Sequence, residues 1–268
     1  MISKAFRITL TIAVASLAFG SAAGAMAESR FRPCSNASLS GTYGFLHGGI
    51  GSSGNPNTGL TQVTFDPTTG TYAGEVTESA DGVTSTLPLT ATYAVRPNCT
   101  VTARVSLGGG PATNVSFVVT PTGFFFLFQA PGATSEGPGV KQGSANCTDA
   151  GVKGSFGFEA TGLFLAGAPI TGPVAFISEL KLSVNSSGKG VISGHIAGSE
   201  DGTILKFAEE PVTGSYTVNR DCRGKATITP NGLSEMHFSL VVVDGGKQML
   251  ALETDPDTVV SGTLVKGN

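Results

Sequence analysis

The stretch Gly41-Thr42-Tyr43-Gly44-Phe45 recurs later in the same chain as Gly154-Ser155-Phe156-Gly157-Phe158. Each stretch follows a cysteine at the same spacing, Cys34 before the first and Cys147 before the second. Aromatic residues at alternate positions are typical of a β-strand whose two faces differ. A motif that recurs together with its own cysteine indicates an internal repeat, so the fold has to be explained one copy at a time.

A second pair of motifs supports the repeat. Residues Tyr93–Cys99 read YAVRPNC, and residues Tyr216–Cys222 read YTVNRDC, so tyrosine, valine and cysteine keep their spacing. The sequence therefore predicts two units of similar length, at residues 28–143 and 144–268.

The first 27 residues have the features of a secretory signal peptide. Lys4 and Arg7 form a basic start, an apolar run covers residues 8–19, and Ala25-Met26-Ala27 is a small-x-small cleavage site. The apolar run is shorter than the roughly 20 residues that a membrane-spanning helix needs, and no other segment comes close. We therefore expect an exported protein, periplasmic or extracellular, with no membrane span.

Charge is sparse and slightly negative, with 16 Lys and Arg against 19 Asp and Glu and a net charge of −3. Nucleic-acid binding requires a basic stripe or patch, and none is present. The composition therefore excludes nucleic acid as a partner and makes an acidic membrane surface a poor one.

The four cysteines occur two in each copy, and export makes disulfide bonds the expected state. Four cysteines allow three pairings. The repeat selects Cys34–Cys99 and Cys147–Cys222, because each copy should close on itself. Zinc sites use closely spaced ligand pairs, which these cysteines do not form.

Alternating apolar and polar residues, separated by glycine-rich turns, occur along most of the chain. Residues 101–107 and 179–184 alternate in this way, and the chain contains 38 glycines. We predict an all-β fold of two tandem antiparallel barrels, each of about eight strands and closed by one disulfide. Two β-sandwiches are the alternative, although the chain has no tryptophan to pack on an immunoglobulin-type disulfide.

The order of these motifs resembles a group of exported bacterial β-proteins of unknown function. The likeness covers the cysteine with its Gly-Thr-Tyr-Gly-Phe strand, the Gly/Thr-rich hairpins, the Tyr93–Cys99 motif and a last strand ending in Val140-Lys141. These proteins are similar to small calycin-style barrels such as lipocalins and allene oxide cyclase. The resemblance implies a small barrel in each copy, and it implies no catalytic residue and no cofactor.

The residues that could carry chemistry have no partner at local spacing. His47, His195 and His237 lack a nearby carboxylate or second histidine, so we interpret them as surface or half-buried residues. The acidic run Glu253–Asp257 is explained more simply by a strand-end turn than by a calcium site. We therefore predict no catalytic, metal-binding or cofactor-binding residue.

The segment Phe124–Phe128 (FFFLF) is apolar on both faces of a predicted strand. We predict an apolar contact strip formed by Phe124, Phe125, Phe126 and Phe128. The second copy, an external partner or a ligand in a barrel lumen could each cover it.

Three functions remain open. The first is a non-catalytic module that binds a small apolar or glycan ligand, which requires a cavity of about 300 Å³ or more. The second is a structural or adhesive cell-envelope protein with a flat apolar strip. The third is a barrel isomerase with buried polar residues that converge in a lumen. The sequence leaves the oligomeric state open.

Overall fold

The computed structural model describes residues 33–130, 132–144, 146–168, 171–200, 203–231 and 234–267. The predicted signal peptide, residues 1–27, lies outside this part of the chain. Within the described ranges, no helix combines the length and the apolar character needed to cross a membrane.

Eight antiparallel strands form the first barrel. Each strand pairs with the next, and β8 pairs with β1 to close the barrel. The strands are β1 (Gly41–Ile50), β2 (Pro56–Asp66), β3 (Thr71–Ala80), β4 (Val83–Val95), β5 (Thr100–Leu107), β6 (Thr113–Thr120), β7 (Gly123–Ala130) and β8 (Ala133–Lys141).

Eight further strands form the second barrel in the same order, and β16 pairs with β9 to close it. The strands are β9 (Gly154–Phe164), β10 (Gly172–Val184), β11 (Gly190–Glu200), β12 (Thr203–Val218), β13 (Arg223–Pro230), β14 (Met236–Val243), β15 (Gln248–Glu253) and β16 (Thr258–Lys266). The predicted all-β fold of two closed barrels is confirmed. The sandwich alternative is wrong, because every strand of each closed sheet has a neighbour on both sides.

The two predicted disulfides are present, Cys34–Cys99 and Cys147–Cys222. Each joins the segment before the first strand of its barrel to the turn after the fourth strand. Cys99 and Cys222 both have φ of 67°, so the two turns share one backbone conformation. Disulfides persist in oxidising compartments, and the two bonds therefore indicate such a compartment.

The tyrosine and valine of the recurring motif hold the same segment by hydrogen bonds. The Tyr93 hydroxyl donates to the Leu39 carbonyl at 3.1 Å, and the Val95 N–H donates to Asn36 Oδ1 at 2.9 Å. In the second copy, the hydroxyl of Tyr216 donates to the backbone carbonyl of Asp149 at 2.8 Å. The motif therefore recurs because tyrosine, valine and cysteine together bind the segment that precedes the first strand of each barrel.

The barrels contact each other through outward-facing side chains that form a separate apolar cluster. Gln142 spans the junction and donates from Nε2 to the Val242 carbonyl at 3.1 Å, and Thr58 Oγ1 donates to Ser261 Oγ at 3.0 Å. The cluster comprises Leu46, Leu60 and Val140 of the first barrel and Val241, Val243, Leu250 and Leu252 of the second.

The predicted apolar contact strip needs correction. Phe124 is buried in the core of the first barrel, and Phe126 and Phe128 pack against that core. Phe125 faces outward and is 60% exposed. Successive residues of a strand point to opposite faces, so the four phenylalanines divide between lumen and exterior. Docking between the two barrels does not cover this strand, because their contact uses other strands.

Candidate functional site in the lumen of the first barrel

The two barrels differ in how completely their lumens are filled. The first encloses a cavity of about 300 Å³, and the second leaves about 10 Å³. Ligand sites in proteins usually begin near 300 Å³. The first lumen is therefore large enough for a small ligand, and the second is a packed core.

Most of the cavity wall is apolar, and the connection between β5 and β6 borders it through Gly110 and Pro111. The apolar wall consists of Phe45, Tyr72, Val76, Leu89, Val105, Leu107, Val115, Phe126 and Phe128. Six polar side chains complete it: His47, Asn57, Thr61, Glu78, Thr113 and Ser135.

A glycine keeps the first lumen open. Gly59 lies between His47 on β1 and Glu78 on β3, because it pairs with both residues. A Cβ atom at Gly59 would lie 2.3 Å from His47 Nε2. The imidazole therefore extends over the glycine, and no side chain from β2 fills that level of the lumen.

The second barrel has the inverse arrangement in the equivalent row. Phe176 on β10 lies between Ala160 and Gly198, with which it pairs. A Cβ atom at Gly198 would lie 3.0 Å from the Phe176 ring. In the second barrel, one large side chain between two small residues fills the lumen. In the first barrel, one glycine between two polar side chains leaves the lumen open.

Four polar side chains of the first lumen form two hydrogen-bonded pairs. His47 Nδ1 lies 2.9 Å from Ser135 Oγ, and Asn57 Nδ2 donates to Glu78 Oε1 at 3.2 Å. The members of the first pair are 88 residues apart in the chain. Closure of the barrel by β8 brings them together.

Burial changes the protonation equilibria of this cluster. It lowers the pKa of His47 to about 4, because the charged imidazolium loses its hydration in the apolar wall. Burial also raises the pKa of Glu78, while the hydrogen bond from Asn57 acts in the opposite direction. His47 is therefore neutral at pH 7 and able to donate through one ring nitrogen and accept through the other.

Two buried oxygen atoms of the wall have no hydrogen-bond partner within the described part of the chain. They are Asn57 Oδ1 and Thr61 Oγ1, and Thr61 is 1% exposed. A buried polar atom without a partner costs about 1–3 kcal/mol. The lumen therefore offers hydrogen-bonding capacity that the protein itself does not use.

The positions equivalent to Asn57 and Ser135 are apolar in the second barrel. Strand registers place Val174 at the position of Asn57 and Val260 at the position of Ser135. Both valines belong to the buried core of the second barrel, and they are 4% and 0% exposed. Thr61 has a hydroxyl counterpart in Ser178, but the Asn57–Glu78 and His47–Ser135 pairs belong to the first copy alone, so the barrel fold does not require them.

The other residues singled out in the sequence lie outside this lumen. His195 is exposed on β11. The interpretation of His237 as a residue without a carboxylate partner is wrong, because its Nδ1 lies 2.7 Å from Asp255 Oδ1 and its Nε2 lies 3.6 Å from Glu235 Oε1. Glu253 is 2% exposed, and its carboxyl has a pKa raised to about 8 by burial and by the charge of Asp255. Across the described ranges, no three His, Cys, Asp or Glu side chains are grouped to hold a metal ion.

The site was missed in the sequence because its partners are not local. The interpretation of His47 as a residue without a partner considered only nearby positions, whereas Ser135 reaches it from the last strand of the barrel. One signal was available. When the two copies are aligned, His47 is equivalent to Ala160 and Glu78 is equivalent to Gly198. Polar residues in one copy at positions that are small and apolar in the other indicate that the first lumen is not packed like the second.

Comparisons with known proteins add little to this geometry. No protein-family model matches the chain, and no curated protein matches it. Among solved structures, the chain is similar to the crystal structure of a protein of unknown function from the DUF3598 family of Nostoc punctiforme. The sequence identity is 9% and the TM-score 0.27, over 86% of this chain and 97% of that one. That likeness is too distant to bear on the site.

Proposed function

We propose that this protein is an exported binding module that holds a small, mainly apolar ligand in the lumen of its first barrel. The observation that carries the proposal is the difference between a cavity of about 300 Å³ in one barrel and about 10 Å³ in its repeat. A barrel of this size can fill its own lumen, as the second copy does. The barrel fold therefore does not impose the open lumen of the first copy.

The wall favours an apolar ligand over a glycan. A glycan presents hydroxyl groups on all sides and needs many hydrogen-bond partners, whereas all the polar side chains here except Thr113 lie on β1, β2, β3 and β8. The cavity has the volume of on the order of ten water molecules. It suits a short alkyl or small aromatic molecule that has one polar group.

Two disulfides and the predicted signal peptide support export to the periplasm or the extracellular space. The second barrel then serves as a packed structural partner of the binding barrel. The calycin-like resemblance agrees with this proposal, since such barrels commonly enclose a ligand.

Native mass spectrometry of the protein purified from its own host tests the proposal. We expect a retained small molecule, or stoichiometric binding of added 1-octanol. The double variant His47→Ala/Gly59→Phe copies the residues of the second barrel, fills the lumen and should abolish binding. Phe125→Ser, on the outside of the same barrel, is the matched control and should bind normally. Wild-type protein that carries no ligand and binds no octanol would contradict the proposal.

A second candidate function is adhesion through the outer face of the first barrel. Val118, Phe125 and Leu127 are 49%, 60% and 50% exposed on neighbouring strands β6 and β7. Exposed apolar side chains in one patch often mark a contact surface. If adhesion is the function, Phe125→Ser/Leu127→Ser should abolish attachment to the partner surface, and the lumen-filling variant should leave attachment unchanged.

A further inference from the structure

The polar cluster of the first lumen also specifies the kind of head group that the ligand carries. Resting on the proposed function, we propose that the ligand is an apolar amine, whose protonated nitrogen lies among Glu78, Asn57 and Thr61 while its apolar part fills the remaining lumen.

The unused hydrogen-bonding capacity at this point consists mainly of acceptors. Asn57 uses its amide nitrogen to donate to Glu78, which leaves Asn57 Oδ1 buried and without a partner. An amide oxygen and a carboxylate only accept hydrogen bonds, whereas a hydroxyl does both. A ligand group with several N–H donors can satisfy Asn57 Oδ1, Glu78 and Thr61 Oγ1 together.

The charges of the lumen favour a cation. Glu78 is the acidic group among the residues lining the cavity, and the ionisable residues beside it are His47 and Tyr72. No lysine or arginine lines this cavity in the described part of the chain. Hydrogen bonds between an ammonium and a carboxylate are about twice as strong as neutral ones. A carboxylate ligand would instead place a second negative charge beside Glu78.

The position of the cluster fits an amphipathic amine. His47, Gly59 and Glu78 form one row across three neighbouring strands, with Asn57 and Thr61 on the middle strand on either side of Gly59. Gly59 contributes no side chain, and the His47 imidazole lies over its backbone. A head group next to Glu78 therefore also meets the neutral His47 ring, and the phenylalanines and leucines of the wall surround the tail.

The second barrel supports the assignment because it lacks both the amide and the carboxylate. The residues equivalent to Asn57 and Glu78 are Val174 and Gly198, and Phe176 occupies the position equivalent to Gly59. The hydroxyl of Thr61 has a counterpart in Ser178, which donates to the His195 carbonyl. The amide and carboxylate acceptors thus accompany the open cavity and are absent where the lumen is packed.

Isothermal titration with three ligands that share one tail tests the assignment: octylamine, 1-octanol and octanoate, all at pH 7. We expect octylamine to bind at least tenfold more tightly than 1-octanol, and octanoate to bind most weakly. The isosteric change Glu78→Gln should remove the preference for the amine over 1-octanol. Glu136→Gln removes an exposed carboxylate of β8, outside the lumen, and should leave the preference intact.

The outcomes separate the two proposals. Equal affinities for the three ligands, or tighter binding of octanoate, would overturn the head-group assignment while lumen binding stands. A preference for octylamine that survives in Glu78→Gln would also overturn it. Binding of none of the three by the wild-type protein would overturn the lumen proposal itself. The comparison in the wild-type protein decides the result even if a variant fails to fold.

Discussion

Phe176 fills the position in the second barrel that Gly59 leaves empty in the first. Both residues lie in the second strand of their barrel and pair with the residue at the same place in the first strand, Ala160 for Phe176 and His47 for Gly59. The two copies therefore share a backbone and differ in lumen content through a few side chains. This difference allows one copy to act as the control for the other.

The packed lumen of the second barrel predicts a large cost for removing Phe176. We expect Phe176→Ala to lower the free energy of unfolding by about 3 kcal/mol, because the variant loses a buried ring and leaves a cavity. Ile177→Ala, at the neighbouring and 65% exposed position, should change it by less than about 0.5 kcal/mol. Urea unfolding measures both. Equal effects would show that the second lumen is not tightly packed.

The contact between the barrels predicts a position-specific effect of a single methyl group. A Cβ atom at Gly44 would lie 2.7 Å from Val241 Cγ1 and 2.8 Å from Val243 Cγ1. We expect Gly44→Ala to destabilise the protein by about 1–3 kcal/mol through overpacking.

The repeat supplies the control for this change. Gly157 is the equivalent residue of the second barrel, and its nearest atom would be Val265 O at 4.0 Å. Gly157→Ala should therefore have little effect in the same thermal-melting experiment. A Gly44→Ala variant as stable as the wild type would contradict the described contact between the barrels.

His47 predicts a loss of stability in acid. Its pKa falls from 6.5 in the unfolded chain to about 4 in the barrel, so the unfolded state binds the proton more readily. The stability contribution is complete above pH 6.5 and is lost as the pH falls toward 4, by roughly 3 kcal/mol at most.

Denaturant titrations between pH 7 and pH 4 measure this loss. His47→Gln should flatten the dependence, while His195→Gln, at an exposed position, should not. An unchanged slope in His47→Gln would contradict the burial of this imidazole. Glu78 and Tyr72 are the other ionisable residues lining the lumen. Burial raises the pKa of Tyr72, so it stays protonated in this range, and Glu78→Gln measures the contribution of Glu78.

Glu253 predicts the opposite trend. Its pKa is raised from 4.5 to about 8, so the folded state binds the proton more readily than the unfolded chain. Stability should fall as the pH rises from about 4.5 to about 8, by on the order of a few kcal/mol. Glu253→Gln should remove most of this decline, and Glu179→Gln, at an exposed position on β10, should retain it. A decline of the same size in all three proteins would assign it to other groups.

The fold was predictable from the sequence because its determinants are local or repeated. Alternation along each strand, glycine turns and the recurrence of the Cys34 and Cys99 motifs predicted two units of about eight strands, each with its own disulfide. The repeat removed the ambiguity of pairing four cysteines, which a single copy of the pattern could not have done.

The candidate site was not predictable in the same way. Its side chains come from β1, β2, β3 and β8, and a strand pattern states which face a residue occupies but not which residues meet across a lumen. The apolar run Phe124–Phe128 can be recognised because it lies in one short window of sequence. The role of Gly59 in the lumen depends on its pairing with His47 and Glu78, which the sequence does not show.

A crystal structure of the protein soaked with 1-bromooctane tests the central claim most directly, since anomalous scattering locates the bromine. We predict one bromine site inside the first barrel, among the side chains that surround Phe45 and Phe126, and none inside the second barrel. Bromine found only on the outer face near Phe125, or in both lumens equally, would contradict the account of one open and one filled barrel.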